Sequence, residues 1–224
     1  MNTPLKIGII GGTGALGSGL AARWAKAGRY VVIGSRRIES AQATCESIVA
    51  GAIEGRDNEA PRVSYGLNVD VARDADVIVV TVPFDQQEKT LASIREFVQG
   101  KIVIDTTVPL LPPKVGTVNV PESGAAAVSA KCILGEDVKV FSAFHNVAAD
   151  KLQSLEELDC DVLVFGDDKD DRPVVISLVE DAGMRGFYGG GLRNSIAAEA
   201  LTSVLITINR QLKCQTGIRL VGMH

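Results

Sequence analysis

Short runs of apolar residues alternate along the chain with longer segments in which apolar residues recur every three or four positions. The runs predict β-strands and the longer segments predict α-helices. Strands are expected at 5–10, 30–34, 63–66, 76–82, 101–106, 138–143, 161–165 and 184–188, and helices at 15–27, 38–50, 84–98, 123–133, 171–182 and 194–212. This alternation is typical of βαβ units, so we predict an α/β fold with a mainly parallel sheet.

The apolar runs also predict how the elements are layered. Val77–Val80 is apolar at every position, as expected of a strand that helices cover on both faces. The polar segment Gly51–Pro61 predicts an exposed loop, and the proline-rich segment 107–122 predicts a loop across the carboxyl ends of the strands. We divide the chain into a nucleotide-binding portion, 1–146, and a small C-terminal portion, 147–224, packed on the first.

The last predicted helix, Ile196–Leu212, consists almost entirely of apolar and small residues. Such a helix is expected to be buried on several sides. It is either a core helix within one subunit or part of a homodimer interface, and the sequence leaves both possibilities open.

The most specific pattern is a glycine loop between the first strand and the first helix. Gly12, Gly14 and Gly17 fit G-x-G-x-x-G in the strand–loop–helix context that dinucleotide binding requires. Gly12 allows the tight turn, Gly14 lets a pyrophosphate approach the backbone, and Gly17 lets the helix lie close to the strand. The fold is therefore expected to be a Rossmann-type doubly wound sheet with a small C-terminal α/β extension.

The end of the second strand indicates which dinucleotide is bound. An acidic residue that would accept a hydrogen bond from the ribose 2′-hydroxyl of NAD is missing there, and Ser35, Arg36 and Arg37 take its place. A guanidinium and a hydroxyl suit a 2′-phosphate, because arginine can donate two parallel hydrogen bonds to it. The sequence therefore predicts NADP.

Two further strand ends carry apolar residues that are expected along the nicotinamide half of the cofactor. They are Val82 and Pro83 after the fourth strand and Val108 after the fifth. His145 follows the sixth predicted strand and is a candidate proton donor or hydrogen-bonding partner for a second substrate. We find no Ser/His/Asp set, which favours hydride transfer, since the cofactor then carries the chemistry.

Composition excludes several other classes of protein. The net charge of −4 argues against nucleic-acid binding, and no apolar run reaches the ~18–20 residues that span a bilayer. The four cysteines are scattered without a C-x-x-C pair, as in a reduced cytoplasmic protein. With two histidines in the chain, a histidine-rich metal site is not expected.

Five segments together resemble the NADPH:coenzyme F420 oxidoreductases, in the order of that family and over nearly the whole chain. They are GIIGGTGALGSGLAARWAKAGRYVVIGSRR, VIVVTVPFDQ, IVIDTTVPL, VFSAFHNVAAD and GGLRNSIAAEALTSVLITINR. The resemblance implies hydride transfer between NADP(H) and the deazaflavin coenzyme F420, with no residue forming a covalent bond. It also implies a set of binding residues: Thr13, Gly14, Ala15 and Leu16 at the pyrophosphate; Thr13, Ser35 and Arg36 at the 2′-phosphate; Val82, Val108 and Ala149 at the nicotinamide; His145 and Val147 at the deazaflavin.

Two other functions remain open at this point. The chain departs from the family pattern at Ser40, Phe84 and Ala148, and the last two positions belong to the pocket of the second ring. An NADPH-dependent reductase of a free flavin, or of a small imine or carbonyl compound, is therefore an alternative. A non-catalytic NADPH-sensing module is the third possibility.

Overall fold

A computed structural model describes residues 5–53, 61–154 and 157–222 of the chain. The strands are β1 (Lys6–Ile10), β2 (Tyr30–Ser35), β3 (Val63–Leu67), β4 (Val77–Val80), β5 (Ile102–Asp105), β6 (Lys139–Ser142), β7 (Asp161–Gly166) and β8 (Arg185–Tyr188). The helices are α1 (Ala15–Lys26), α2 (Ile38–Ile53), α3 (Asn68–Asp74), α4 (Phe84–Ile94), α5 (Ala126–Leu134), α6 (Ala149–Gln153), α7 (Arg172–Asp181) and α8 (Ser195–Leu212). Short 3₁₀ turns occupy Arg95–Phe97 and Leu192–Asn194.

All eight strands form one sheet in the order β3-β2-β1-β4-β5-β6-β7-β8. Every neighbouring pair is parallel except β6 and β7, which are antiparallel. The chain first adds strands on one side of β1 and then on the other, so the direction of winding reverses between β1 and β4. Such a reversal opens a crevice at the carboxyl ends of the strands. The predicted α/β fold with a mainly parallel, doubly wound sheet is confirmed.

The eight predicted strands are all present, with ends shifted by a residue or two, but two helices were missed. They are α3, with seven residues, and α6, with five, and neither is long enough to show a clear helical period. The predicted loop at 51–61 falls mostly outside the described residues. The predicted loop at 107–122 contains no helix or strand.

Two hydrophobic layers cover the two faces of the sheet, because successive side chains of a strand point to opposite faces. Ile9 belongs to the layer under α1, together with Trp24 and Phe141. Its neighbour Ile10 belongs to the opposite layer, with Leu91 of α4. All four residues of β4 are buried, as predicted for a strand covered on both faces.

The C-terminal portion is tied closely to α1. The buried guanidinium of Arg23 donates to the carbonyl oxygen of Leu152 at 2.9 Å and to that of Ala182 at 3.1 Å. Trp24 Nε1 donates to the carbonyl oxygen of Leu178 at 2.7 Å. The predicted boundary at residues 146 and 147 falls between strands of one continuous sheet, and the division into two portions stays a prediction.

Within this single chain helix α8 is not buried on several sides, so it is not a core helix of one subunit, and its burial in a homodimer interface stays a prediction. Its buried residues are Ser195, Ala198, Glu199 and Ser203, which are small or polar. Val204 is 45% exposed and Leu212 is 66% exposed. The helix therefore packs through its small residues and presents an apolar face to the surroundings of this single chain.

Candidate cofactor-binding site

A cavity of about 450 Å³ lies at the carboxyl ends of the central strands, where the winding of the sheet reverses. Ligands of doubly wound sheets bind at this position. Nine of the residues predicted to bind the cofactor line the cavity: Thr13, Gly14, Ala15, Leu16, Ser35, Arg36, Val82, Pro83 and Val108. The loops after β1, β2, β4 and β5 thus converge on one site.

The loop after β1 leaves no room for a side chain at several of its glycines. A Cβ on Gly17 would lie 2.8 Å from the Cα of Gly12. The close packing of the loop therefore requires glycine at these two positions, whether or not they face the cavity. Gly11 has φ of +77°, and a Cβ there would lie 2.6 Å from Cγ1 of Val82. By contrast, a Cβ on Gly14 would have no neighbour nearer than 3.6 Å. Gly14 therefore faces the open cavity, where a bound group can approach its backbone.

The amino terminus of α1 has the features of an anion-binding site. Gly14 is the N-cap and supplies no side-chain acceptor, and the first turn contains no acidic residue. The first N–H groups of a helix have no partners within it, and they carry the positive end of the helix dipole. A pyrophosphate placed here would satisfy them.

The two adjacent arginines that follow β2 lie differently with respect to the cavity. Arg36 lines the cavity, and its Nη1 donates to Oε1 of Gln86 at 3.3 Å. Arg37 is exposed and is not among the lining residues, although its backbone N–H donates to the hydroxyl of the buried Ser35. The structure thus brings one of the two predicted arginines to the cavity.

The opposite end of the cavity combines apolar side chains with threonines, among them Thr81 and Thr106. Thr81 donates its hydroxyl proton to the carbonyl oxygen of Ile10 at 3.1 Å, and Thr106 donates to that of Val80 at 2.9 Å. Each of these hydroxyls can therefore accept a hydrogen bond from a ligand, but its own proton is already donated to a carbonyl oxygen. Val82, Pro83 and Val108 supply the apolar surface on which a flat ring can pack.

A buried carboxyl group stands directly behind this wall. Asp105 is fully buried at the end of β5, and its Oδ1 lies 2.7 Å from the hydroxyl of Thr107, which lines the cavity. Burial and, to a smaller extent, the nearby Glu199 raise the pKa of Asp105 to about 7, although hydrogen bonds from Thr107 and Gln87 lower it. Burial likewise raises the pKa of Glu199 to about 6.

Sequence reasoning missed several polar residues of the cavity: Asn68 and Gln86, and the threonines Thr81, Thr90, Thr106 and Thr107. Asn68 begins α3, and its Oδ1 accepts a hydrogen bond from the backbone N–H of Gly11 at 3.2 Å. It follows β3 directly, so its place at a strand end was a signal that could have been used. Gln86 is one of several polar residues in the first turns of α4, and nothing in the sequence distinguishes it.

Besides Gly12, Gly17 and Arg37, the predicted residues that do not line this cavity are His145, Val147 and Ala149. His145 is buried, and its Nε2 has no hydrogen-bond partner among the described residues. Burial lowers the pKa of His145 to about 4, so the imidazole is neutral at pH 7 and cannot act there as an acid. Val147 lines a separate depression beside the C-terminal segment. Their assignment to the two rings stays a prediction.

No group of His, Cys, Asp and Glu residues in the described part of the chain is arranged to hold a metal ion. No helix among those residues combines the length and apolar character needed to cross a bilayer.

Comparison with known proteins gives a consistent picture. Residues 6–109 match the family described as NADP oxidoreductase, coenzyme F420-dependent. The F420-dependent NADP reductase of Methanothermobacter thermautotrophicus is 39% identical, over 98% of this chain and 96% of that protein. The enzyme of the same name from Methanocaldococcus jannaschii is 36% identical, over 98% of this chain and 100% of that protein.

Among solved structures, a protein from Arthrobacter sp. FB24 superposes with a TM-score of 0.78. It is provisionally described as an F420-dependent NADP reductase and is 22% identical, over 96% of this chain and 100% of that one. At this identity the likeness concerns the fold.

Proposed function

Since this chain belongs to the family of F420-dependent NADP reductases, we propose that it is an oxidoreductase that transfers a hydride between NADP(H) and coenzyme F420. The observation that supports this proposal for this chain is that the two ends of the cavity differ in chemical character. An arginine lies at the end of β2, and an apolar surface lies at the ends of β4 and β5. A dinucleotide has the same division into a charged adenosine phosphate and a flat ring.

The residues present suit NADP(H). Arg36 and Ser35 would bind the 2′-phosphate, and the N–H groups at the start of α1 would bind the pyrophosphate. Gly14 leaves its side of the loop open, so the phosphates can approach the backbone closely. Gly12, Gly17 and Asn68 act indirectly, because they fix the shape of the loop.

The protein's part in the reaction is positioning and the exclusion of water. The nicotinamide, when bound, supplies or accepts the hydride. Val82, Pro83 and Val108 would keep one face of it dry, and the threonine hydroxyls would accept hydrogen bonds from its carboxamide. His145, Val147 and Ala149 are proposed to contact the rings from the C-terminal side, as the resemblance implies, with His145 as a neutral hydrogen-bonding group.

The second substrate is tested by mixing NADPH anaerobically with F420, FMN or FAD in a stopped-flow spectrophotometer. Loss of the deazaflavin absorbance at a rate well above that of either flavin is expected. NADPH deuterated at C4 should transfer its label to F420 directly, since no protein group takes part in the bond changes. Rapid reduction of a flavin with none of F420 would assign the chain to the alternative class of flavin reductases.

We also propose that the chain works as a homodimer, with α8 in the interface. The loop at 107–122 packs on α8, because Ser203 and Thr207 donate hydrogen bonds to the carbonyl oxygens of Thr117 and Gly116. The loop adds further exposed apolar side chains beside the helix: Leu111, Val118 and Val120. A surface that carries little charge and much apolar area suits a second copy of itself.

Sedimentation analysis tests this assembly. The native chain should sediment as a dimer, and Val204→Glu should sediment as a monomer with a native circular-dichroism spectrum. Tyr65→Glu is the matched control, because Tyr65 is similarly exposed (41%) on β3, at the far edge of the sheet. A native chain that is monomeric at micromolar concentration would refute the dimer. The four free cysteines are in keeping with a cytoplasmic location, which we propose as well.

A further inference from the structure

Asp105 is a fully buried carboxyl group for which the hydride transfer proposed above has no use. Both its oxygens are engaged: Oδ1 with the Thr107 hydroxyl at 2.7 Å, and Oδ2 with Nε2 of Gln87 at 2.8 Å. Gln87 Nε2 also donates to the carbonyl oxygen of Ala126 at 3.2 Å. Because a carbonyl can only accept, the Gln87 atom facing Oδ2 must be the amide nitrogen.

Among the described residues, the packing around Asp105 supplies no cation to balance its charge. The charged group that acts on it is Glu199 of α8, and a second negative charge disfavours ionisation. Glu199 is itself held by the backbone N–H groups of Ala126 and Ala127, at 2.7 and 3.2 Å. The strand neighbours of Asp105 are Val80 on β4 and Ser142 on β6, and both are uncharged.

The two protonation states of Asp105 place the Thr107 hydrogen differently. The ionised carboxylate accepts from both neighbours, so the Thr107 hydroxyl offers only lone pairs to the cavity. In the neutral carboxylic acid the proton must sit on Oδ1, because Oδ2 faces the Gln87 donor. It is then donated to the Thr107 oxygen, and the hydroxyl hydrogen of Thr107 becomes free to turn toward the cavity.

We propose that Asp105 is a positioning residue that acts through Thr107 on the nicotinamide end of the cavity. The ionised form favours the oxidised cofactor, whose ring is cationic, and the protonated form favours the reduced cofactor, whose ring is neutral. The proton that distinguishes the two forms is exchanged with bulk water. This inference rests on the assignment of the cavity to NADP(H).

The physical basis is that the electrostatic interaction of a charge extends further where water does not screen it. Asp105 has no exposed surface, and Thr107 is the residue between it and the cavity. Opposite charges in such surroundings shift each other's equilibria by about one to three pKa units. By linkage, the binding of oxidised cofactor should raise the acid dissociation constant of Asp105, and so lower its pKa, by the same factor by which ionisation strengthens that binding.

The first test is the ratio of the dissociation constants of NADPH and NADP⁺, measured by fluorescence titration from about pH 6 to about pH 9. The ratio cancels the titration of the phosphates, which both redox forms carry. We expect it to rise about tenfold across a single midpoint near neutral pH, in favour of NADP⁺ at the alkaline end. A ratio independent of pH would overturn the inference.

Asp105→Asn should hold the site in its low-pH state. Its amide oxygen can accept from Gln87 while its amide nitrogen donates to Thr107, which reproduces the hydrogen bonds of the neutral acid. We expect this variant to give the low-pH ratio at every pH. A variant that folds, binds both redox forms and keeps the wild-type midpoint would assign the titration to another group.

Two substitutions should move the midpoint in opposite directions. Thr107→Val removes a hydrogen bond that lowers the pKa of Asp105, so the midpoint moves up, and it removes the hydroxyl through which Asp105 acts, so the change in the ratio becomes smaller. Glu199→Gln removes a negative charge that raises it, so the midpoint moves down. Thr106→Val is the matched control, because this neighbouring hydroxyl is bonded to a carbonyl and not to a titratable group. Its midpoint should equal that of the wild type.

A measurement that does not depend on activity completes the test. In protein labelled with [¹³C]aspartate, the carboxyl resonance missing from Asp105→Asn reports the titration of Asp105 directly. We expect a midpoint near neutral pH that falls by about one unit on addition of NADP⁺. Failure to bind either redox form would refute the assigned function, whereas tight binding with an unmoved resonance would refute this inference alone.

Discussion

The Arg36 guanidinium reaches across the mouth of the cavity to Gln86, whose Oε1 accepts from Nη1 at 3.3 Å. The two residues lie at the end of β2 and in the first turns of α4. The bond is long and exposed, so it orients the guanidinium without consuming its other donors. Arg36 therefore remains able to bind an anion.

We predict that Arg36→Asp weakens NADPH binding at least tenfold and improves NADH relative to NADPH. The substitution removes a charge-assisted hydrogen bond, typically about 1.5–3 kcal/mol, and adds repulsion against the 2′-phosphate. Isothermal titration with both coenzymes measures the two effects. Arg37→Asp is the matched control, because Arg37 is equally exposed but does not line the cavity. Equal losses in both variants would mean that overall charge, and not a specific contact, selects NADPH.

The role of Asn68 can be separated into a structural and an electrostatic part. Asn68→Ala leaves the backbone N–H of Gly11 without its acceptor, which should cost about 1–3 kcal/mol of stability and weaken cofactor binding. Asn68→Asp keeps an acceptor oxygen, so it should retain most of the stability. It places a negative charge on the cavity wall, however, and should still bind NADPH more weakly.

Thermal unfolding and NADPH titration of the two Asn68 variants give the answer together. If Asn68→Ala unfolds like the wild type, then the loop holds its shape without this bond. If Asn68→Asp binds NADPH normally, then the phosphates lie away from the end of α3.

The sequence predicted the elements whose patterns are long or chemically specific. The continuous apolar run of β4 and the glycine spacing before α1 were sufficient for the sheet and the phosphate loop. Helix α3 was missed because seven residues span two turns, and the single turn of α6 was missed for the same reason. So short a helix is stabilised by the residues packed against it, and not by the hydrophobic pattern of its own sequence.

The candidate site shows the same limit at the level of single residues. Ser35, Arg36 and Arg37 were predicted together, but the direction of each side chain after the strand end decides which arginine faces the cavity. The link between Arg36 and Gln86 joins segments 50 residues apart, and no local pattern reports it. The composition of α8 does not reveal whether its apolar face packs within one chain or against a second one.

The packing of α1 on α6 depends on Gly19. A Cβ there would lie 2.6 Å from Cβ of Leu152, so Gly19→Ala should force the helices apart and destabilise the fold by about 1–3 kcal/mol. Chemical denaturation measures the change. Adding Leu152→Ala to Gly19→Ala restores space, and the double variant should lose less than the two single variants together. Strictly additive losses would show that the two side chains do not meet.

His145 should make the fold sensitive to acid. Its pKa is lowered by burial from the ordinary 6.5 to about 4, so the unfolded chain binds more protons in between. The stability that the neutral imidazole contributes is therefore present above pH 6.5 and is lost as the pH falls toward 4. His145→Phe keeps an aromatic ring and removes the unpaired Nε2. It should reduce the loss of stability toward acid, by at most about 3 kcal/mol.

Asp105→Asn is the matched control for His145→Phe, because the pKa of Asp105 is shifted in the opposite sense. An aspartate whose pKa is raised from 3.8 to about 7 contributes stability at low pH that is lost as the pH rises through about 7. Both groups act between about pH 4 and 6.5, but with opposite slopes, so Asp105→Asn should steepen the loss of stability toward acid, whereas His145→Phe should reduce it. Urea denaturation of both variants from about pH 4 to about pH 8 distinguishes the two effects. A pH profile unchanged in His145→Phe would mean that the pKa of His145 is the same in the native fold as in the unfolded chain, and that burial does not keep the imidazole neutral.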